Sequence, residues 1–163
     1  MATPALQQRY RIYVVRLMEF IDSVARDEYP NDIVLEEEKL LEITPDDIAR
    51  HFKNMAYGTP TPGPNDKPVH CRSSNLEFAK KAISFFMPDR IAPWTTRDKT
   101  GNPTRSVQVN QVIKDVKKAE VRKEGVPSQA RRDLKRNEFE KTLEILESQV
   151  TGRNFCCSAK FRP

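Results

Sequence analysis

The stretch Ser106-Val-Gln-Val-Asn-Gln-Val-Ile-Lys-Asp-Val-Lys-Lys-Ala-Glu-Val-Arg-Lys123 decides the fold. Val109, Val112, Ile113 and Val116 fall on one face at helical spacing, which predicts a long amphipathic helix with these four turned inward. Thr104 or Ser106 can cap its start, and Gly125 and Pro127 end it. The other faces are polar, and Lys114, Lys118 and Arg122, spaced by four, stack in one stripe with Lys117 beside it.

The same period recurs upstream. In Ser74-Asn-Leu-Glu-Phe-Ala-Lys-Lys-Ala82, Ser74 with Glu77 reads as a capping box. Leu76, Ala79, Ile83, Phe86 and Met87 form that helix's core face, Lys80 and Lys81 lie off it, and Pro88 ends it. Thr44-Pro-Asp-Asp47 opens an earlier helix: Thr44 caps free N–H groups, Pro45 suits the first position, and the aspartates sit at the positive end of the dipole. Ile48, Phe52 and Met55 are its buried stripe and Gly58 its stop. From Ala5 to Arg26, the residues Leu6, Tyr10, Tyr13, Val14, Leu17, Ile21 and Val24 predict a first helix of about six turns, with Arg9, Arg16, Glu19 and Asp22 off the stripe. Glu36-Glu37-Glu38 reads as a solvated connection or a short exposed helix. The stretch from Gly58 to Pro68 has four prolines and two glycines, and residues 88–103 contain Pro93, Trp94, Gly101 and Pro103, so both are loops. A fifth helix is expected from Asn137 to Gln149, with Phe139, Leu143 and Leu146 on one face. No segment alternates as a strand does, so the fold class is all-α: four bundled helices, and a fifth after a basic linker at 129–136.

The chain has 163 residues, enough for one domain or one domain and the start of another. With 37% hydrophobic and 31% charged residues, one modest core is possible but not that of a large enzyme. No apolar run approaches the roughly 20 residues of a membrane span. The N-terminus does not read as a secretory signal, and three cysteines, two of them adjacent, make no disulfide framework. These features predict a soluble intracellular protein, neither secreted nor in contact with a membrane.

Net charge is +5, but its distribution says more. Residues 1–50 carry a net of −5, residues 51–89 +2, residues 90–136 +8, and residues 137–163 zero. A block of positive charge on one face attracts a polyanion and releases counterions as phosphates are neutralised. Asp115 and Glu120 are the only acids between Val107 and Lys123, so pairing within the helix leaves most of its charge free. Arg97, Lys99 and Arg105 flank the helix on one side; Arg131, Arg132, Lys135 and Arg136 follow it. A basic helix between two basic loops suits contact with the backbone of duplex DNA. Gln108, Asn110 and Gln111 are the polar side chains available for base readout. The bland alternative is a solvated face that keeps a small bundle soluble. Trp94, in a polar loop, can stack on a base or, by preference, plug the bundle end.

No catalytic pattern stands out. His51 and His70 lie beside no nucleophile, and the five glycines form no phosphate-cradling loop. His70-Cys71 with Cys156-Cys157 supplies one His and three Cys, but adjacent cysteines lack the two-to-four-residue spacing with which turns aim paired ligands at zinc. Neither a metal nor another cofactor is expected.

The order of the Ala5 helix, the Thr44-capped helix, the Ser74 helix, Gly101-Asn-Pro-Thr-Arg-Ser-Val-Gln-Val-Asn-Gln-Val-Ile-Lys-Asp-Val-Lys-Lys-Ala-Glu120 and Gln129-Ala-Arg-Arg-Asp-Leu134 resembles the N-terminal core-binding domain of tyrosine recombinases and phage-type integrases. In particular it is similar to recombinase-like sequences of crypton-type mobile elements. The resemblance covers residues 5–150 and implies a SAM-like helical bundle that clamps one side of double-stranded DNA, in DNA integration or recombination, in the nucleus or otherwise on DNA. It divides the chain into a core-binding domain (1–128), a basic linker with the first helix of a catalytic domain (129–150) and an irregular tail (151–163). The family's catalytic arginines, lysine, histidines and tyrosine lie downstream of the matched region, so the resemblance implies no strand cleavage by this chain; Thr151-Gly152-Arg153 is similar to the segment carrying the first catalytic arginine, but Arg153 is assigned no such role. The expected DNA contacts are Arg97, Lys99, Arg105, Lys114, Lys117, Lys118, Arg122, Arg131 and Arg132. The competing function is a helical protein-interaction or scaffold module, with Phe139, Leu143, Leu146 and Val150 as an exposed face through which the chain self-associates.

Overall fold

A computed structural model of the chain describes residues 3–25, 28–30, 33–127, 136 and 139–141. Two compact units are present, Met1–Pro127 and Ser128–Pro163. Among its described residues the first holds five α-helices: α1 (Pro4–Ile21), α2 (Glu37–Glu42), α3 (Pro45–Tyr57), α4 (Ser73–Phe86) and α5 (Val107–Val121), with a 3-10 turn at Pro103–Arg105 leading into α5. Among the described residues there is no strand, only an isolated bridge between Thr95 and Thr100. The fold is all-α. In the second unit Arg136 and residues 139–141 are helical, with Arg136 Nε 3.1 Å from Glu140 Oε1, and Phe139 is exposed. The rest of the expected linker, fifth helix and tail, with Arg131, Arg132, Leu143, Leu146, Val150, Cys156 and Cys157, lies outside the described residues.

Helices of the first unit pair out of sequence order, α1 against α4 and α3 against α5, while α4 also meets α5. The core contains Val14, Leu17, Ile48, Phe52, Leu76, Ile83, Val109 and Val116, all fully buried, so the inward faces read from periodicity meet one another. Between α1 and α4 the packing is aromatic: Tyr10 and Tyr13 meet Phe78 edge-on at 5.4 and 5.3 Å between ring centres. The acidic run belongs to the short helix α2, which buries Leu40.

The caps refine several expectations. Thr44 and Asp47 form the reciprocal box at the start of α3, and Gly58 ends that helix at φ 79°. Ser106, not Thr104, caps α5 by accepting from the Val109 N–H. Ser74 does not cap α4. The helix begins at Ser73, and its cap comes from another helix: Glu120 of α5 accepts from the Ser73 N–H at 2.6 Å and from the Ser73 hydroxyl at 2.8 Å. A carboxylate at this end also meets the positive pole of the α4 dipole. The first helix stops short of Arg26 because Ser23 turns to φ 55°, and α5 stops before Gly125 because Lys123 turns to φ 62°. At both ends the next two N–H groups fold back onto the last turn, Ser23 and Val24 onto Phe20 and Glu19, Lys123 and Glu124 onto Glu120 and Ala119. Glu19, off the apolar stripe by spacing, is nevertheless only 3% exposed, and it accepts from the Tyr29 N–H.

Between α4 and α5 one buried amide organises the loop. Asn102 is fully buried, and both ends of its side chain are satisfied. Nδ2 donates to Ser84 Oγ at 2.8 Å and to the Arg90 carbonyl at 3.1 Å; Oδ1 accepts from the Thr104 N–H at 3.0 Å and the Thr104 hydroxyl at 2.7 Å. Beside it, Gly101 has φ 96°, and a Cβ there would stand 2.2 Å from the Pro93 carbonyl oxygen, so only glycine fits. Replacing Asn102 by Ala strands the buried Thr104 N–H and hydroxyl and is expected to destabilise the unit by about 3 kcal/mol in urea denaturation. A loss below about 1 kcal/mol would show that the loop holds its place without the amide.

Candidate nucleic-acid interface

Because Val109, Val112, Ile113 and Val116 face the core, the opposite side of α5 faces out. Lys114, Lys117, Lys118 and Arg122 are exposed there and, with Val121, line one shallow hollow along the helix. Lys118 pairs with Asp115 at 3.5 Å; among the described residues Lys114, Lys117 and Arg122 have no carboxylate partner. Glu120, the other acid of this helix, is engaged at the Ser73 end of α4 with Arg72 Nε 3.9 Å away, so Asp115 is the one acid of α5 beside the outer cations.

Lys114 also lines a larger cleft, of about 920 Å³, between α4 and the start of α5. Its rim carries Lys80, Lys81, Arg90, Arg105 and Lys114 against a single carboxylate, Glu77, with Tyr10 and Phe85 among its apolar wall. Lys80 reaches across to donate to Asn110 Oδ1, and burial, with Arg105 nearby, lowers its pKa against the opposing pull of Glu77. Like charges crowded around one hollow make this cleft receptive to an anion.

The expected contacts therefore divide. Arg105 and Lys114 meet at the cleft, and Lys114, Lys117, Lys118 and Arg122 continue from it along α5. Lys99, at φ 52° in the turn between Thr95 and Thr100, stands with Arg105 and the half-buried Trp94 around a separate groove at the α2–α5 end. Arg97, exposed in the same turn, joins none of these hollows. Arg131 and Arg132 lie outside the described residues. Lys80, Lys81 and Arg90 are the cations that sequence reading did not assign. Helical spacing puts Lys80 and Lys81 off the α4 core, but only the adjacency of α4 and α5 turns Lys80 toward Arg105.

The polar candidates for base readout have partners already. Asn110 donates to the Arg105 and Ser106 carbonyls and accepts from Lys80, Gln108 donates to Asp46, and Gln111 to Asp115. The two glutamines are exposed and can exchange those partners for a base edge; Asn110 is tied down on both sides.

His51 is buried between Phe20 and Phe52, its Nδ1 without a hydrogen-bond partner among the described residues. Burial, with Arg16 close by, pushes its pKa down to about 4, so the imidazole is neutral at physiological pH. Arg16, Glu19, His70 and Cys71 line the same hollow, and burial raises the Cys71 thiol. Among the described residues no cluster of His, Cys, Asp and Glu could hold a metal ion, and no helix is long and apolar enough to cross a membrane. No family model, curated protein or solved structure matches the chain.

Since unfolded histidine titrates near 6.5 and folded His51 near 4, the unfolded chain binds the extra proton between these values. Its share of stability is therefore complete above pH 6.5 and falls as the pH drops toward 4, by about 3 kcal/mol in total. Urea denaturation from pH 7 to pH 4 should show wild type losing about that much more than His51→Gln. Parallel losses would mean that His51 gains protons equally in both states.

Proposed function

We propose that the chain is a duplex-DNA-binding helical module, similar in role to the core-binding domain of a tyrosine recombinase or integrase, that grips the phosphate backbone without cleaving it. The observation that carries this reading is the division of acids and bases on α5. Lys114, Lys117, Lys118 and Arg122 share one exposed face while Glu120 is drawn inward to cap α4. Arg105 extends that face into the α4–α5 cleft, and Lys99 stands beside Arg105 at the next groove. Arg97, Arg131 and Arg132 complete the proposed contact set. Such contacts position a protein on DNA without specifying sequence. His51 is buried and neutral and burial raises the Cys71 thiol, so neither is presented as an exposed base or nucleophile. Nuclear or other DNA-associated location follows from the same proposal.

A second reading, a protein-interaction module, is favoured by the groove at the other end of α5. Leu41 and Val107, 59% and 83% exposed, line it with Trp94 and Pro93. Exposed apolar side chains around one hollow suit a partner protein or a second copy of the chain.

The discriminating experiment is fluorescence anisotropy with a duplex of about 30 base pairs across a salt series. Wild type should bind duplex more tightly than single strand, with log affinity falling linearly in log salt. Replacing Lys114, Lys118 and Arg122 together by Gln should weaken binding and reduce that slope by about 2 to 3, one phosphate contact per cation. Unchanged affinity and slope in the triple variant would remove α5 as the contact surface. Absence of binding at low salt would overturn the reading and leave the interaction module.

A further inference from the structure

The cleft between α4 and α5 is deeper and more aromatic than a backbone contact requires. Phosphates of a duplex lie on a convex surface and are met by cations on an exposed helix face, as α5 already provides. The cleft adds a hollow of about 920 Å³, within the size range of small-molecule sites. One wall is aromatic: Tyr10 and Phe85 meet edge-on, 5.6 Å between ring centres, and the Arg90 guanidinium lies over the Phe85 ring with Cζ 4.4 Å from its centre. Arg90 is itself exposed, while its carbonyl is held by Asn102 Nδ2 at 3.1 Å, so the cation is anchored through its backbone. The other walls carry Lys81 from α4 and Arg105 and Lys114 from the α5 side, all exposed.

A cation over a ring beside a second ring is a stacking surface, and three further cations around the same hollow are a phosphate site. The ligand that uses both at once is an aromatic ring joined to a phosphate. Inorganic phosphate would leave the aromatic wall unused, and an uncharged ring would leave the cations uncompensated. We propose that this cleft takes a single nucleotide, its base stacked on the Arg90–Phe85 pair beside Tyr10 and its phosphate held by Lys81, Arg105 and Lys114. For a nucleotide unpaired from a DNA strand, the inference rests on the duplex-binding reading; a free nucleotide meets the same chemistry without it.

Three probes separate these cases: a duplex carrying one unpaired 2-aminopurine, the same duplex with that base paired, and deoxyadenosine monophosphate alone. Wild type is expected to bind the duplex with the unpaired base about fivefold to tenfold more tightly than the paired one and to quench its fluorescence, as stacking on a protein surface would. Phe85→Leu removes the ring without changing charge; it should lose the preference and the quenching while its affinity for the paired duplex stays within about twofold of wild type. If that variant lacks the native circular dichroism spectrum, Arg90→Gln serves in its place, with loss of quenching as the readout. No preference for the unpaired base, together with shifts of the Tyr10 and Phe85 ring resonances by the monophosphate, supports the site with a free nucleotide as its ligand. Neither preference nor shifts overturns the proposal. The paired duplex reports separately on the duplex-binding reading, because failure of that arm alone leaves the monophosphate result to decide the cleft.

Discussion

A single buried amide connects the core of this bundle to its charged surface. Water cannot reach Asn102, so each of its hydrogen-bonding groups needs a protein partner, and each has one. Those partners lie on three different pieces of chain: Ser84 on α4, Arg90 in the loop that follows it, and Thr104 in the turn that starts α5. Satisfying one side chain therefore sets where the loop leaves α4 and where α5 begins. The next residue after that turn's buried Thr104 is Arg105, and the loop residue it grips is Arg90, so two of the cleft's cations take their places from an uncharged group beneath them. Gly101 contributes by absence: the Pro93 carbonyl occupies the space a side chain would need.

The inward face of α5 was readable from the sequence because burial and period coincide there, whereas in α1 Val15 and Met18 are buried off the expected stripe and Ile21, on it, is exposed. Val109, Val112, Ile113 and Val116 are all buried, as their spacing requires, and the Thr44–Asp47 box and the Gly58 stop are local patterns whose partners lie within a few residues. What escaped was whatever depends on a distant partner. Ser74 and Glu77 have capping-box spacing, yet the carboxylate at that helix end comes from Glu120, 47 positions beyond Ser73. Glu19 looks like surface charge on a helical wheel, yet it is buried and accepts from the Tyr29 N–H, ten positions away. The helix ends at Ser23 and Lys123 use a left-handed residue that is not glycine, so composition offered no mark for them.

The candidate site divides along the same line. The α5 stripe is a property of one helix and could be read from four-residue spacing. The cleft is a property of two helices and a loop, and its added cations, Lys80, Lys81 and Arg90, are scattered over eleven positions of sequence that carry no motif. Asn110 shows the reverse case. Its place on α5 made it a candidate to read bases, and its neighbours turn it into a strut between Lys80 and the first turn of its own helix.

The pairing of α1 with α4 and of α3 with α5 has a consequence for how the chain is assembled. Both pairs bridge the proline-rich connection from Gly58 to Pro68, so half of each pair is made on either side of it, and neither half has its principal partner until synthesis has passed well beyond that connection. Both pairs cross this one span, which favours a single cooperative unit over a stepwise stack of helical hairpins. The two halves are interlocked rather than strung in series. A break in the backbone within that exposed connection would leave two pieces that still clasp one another, each completing the other's core.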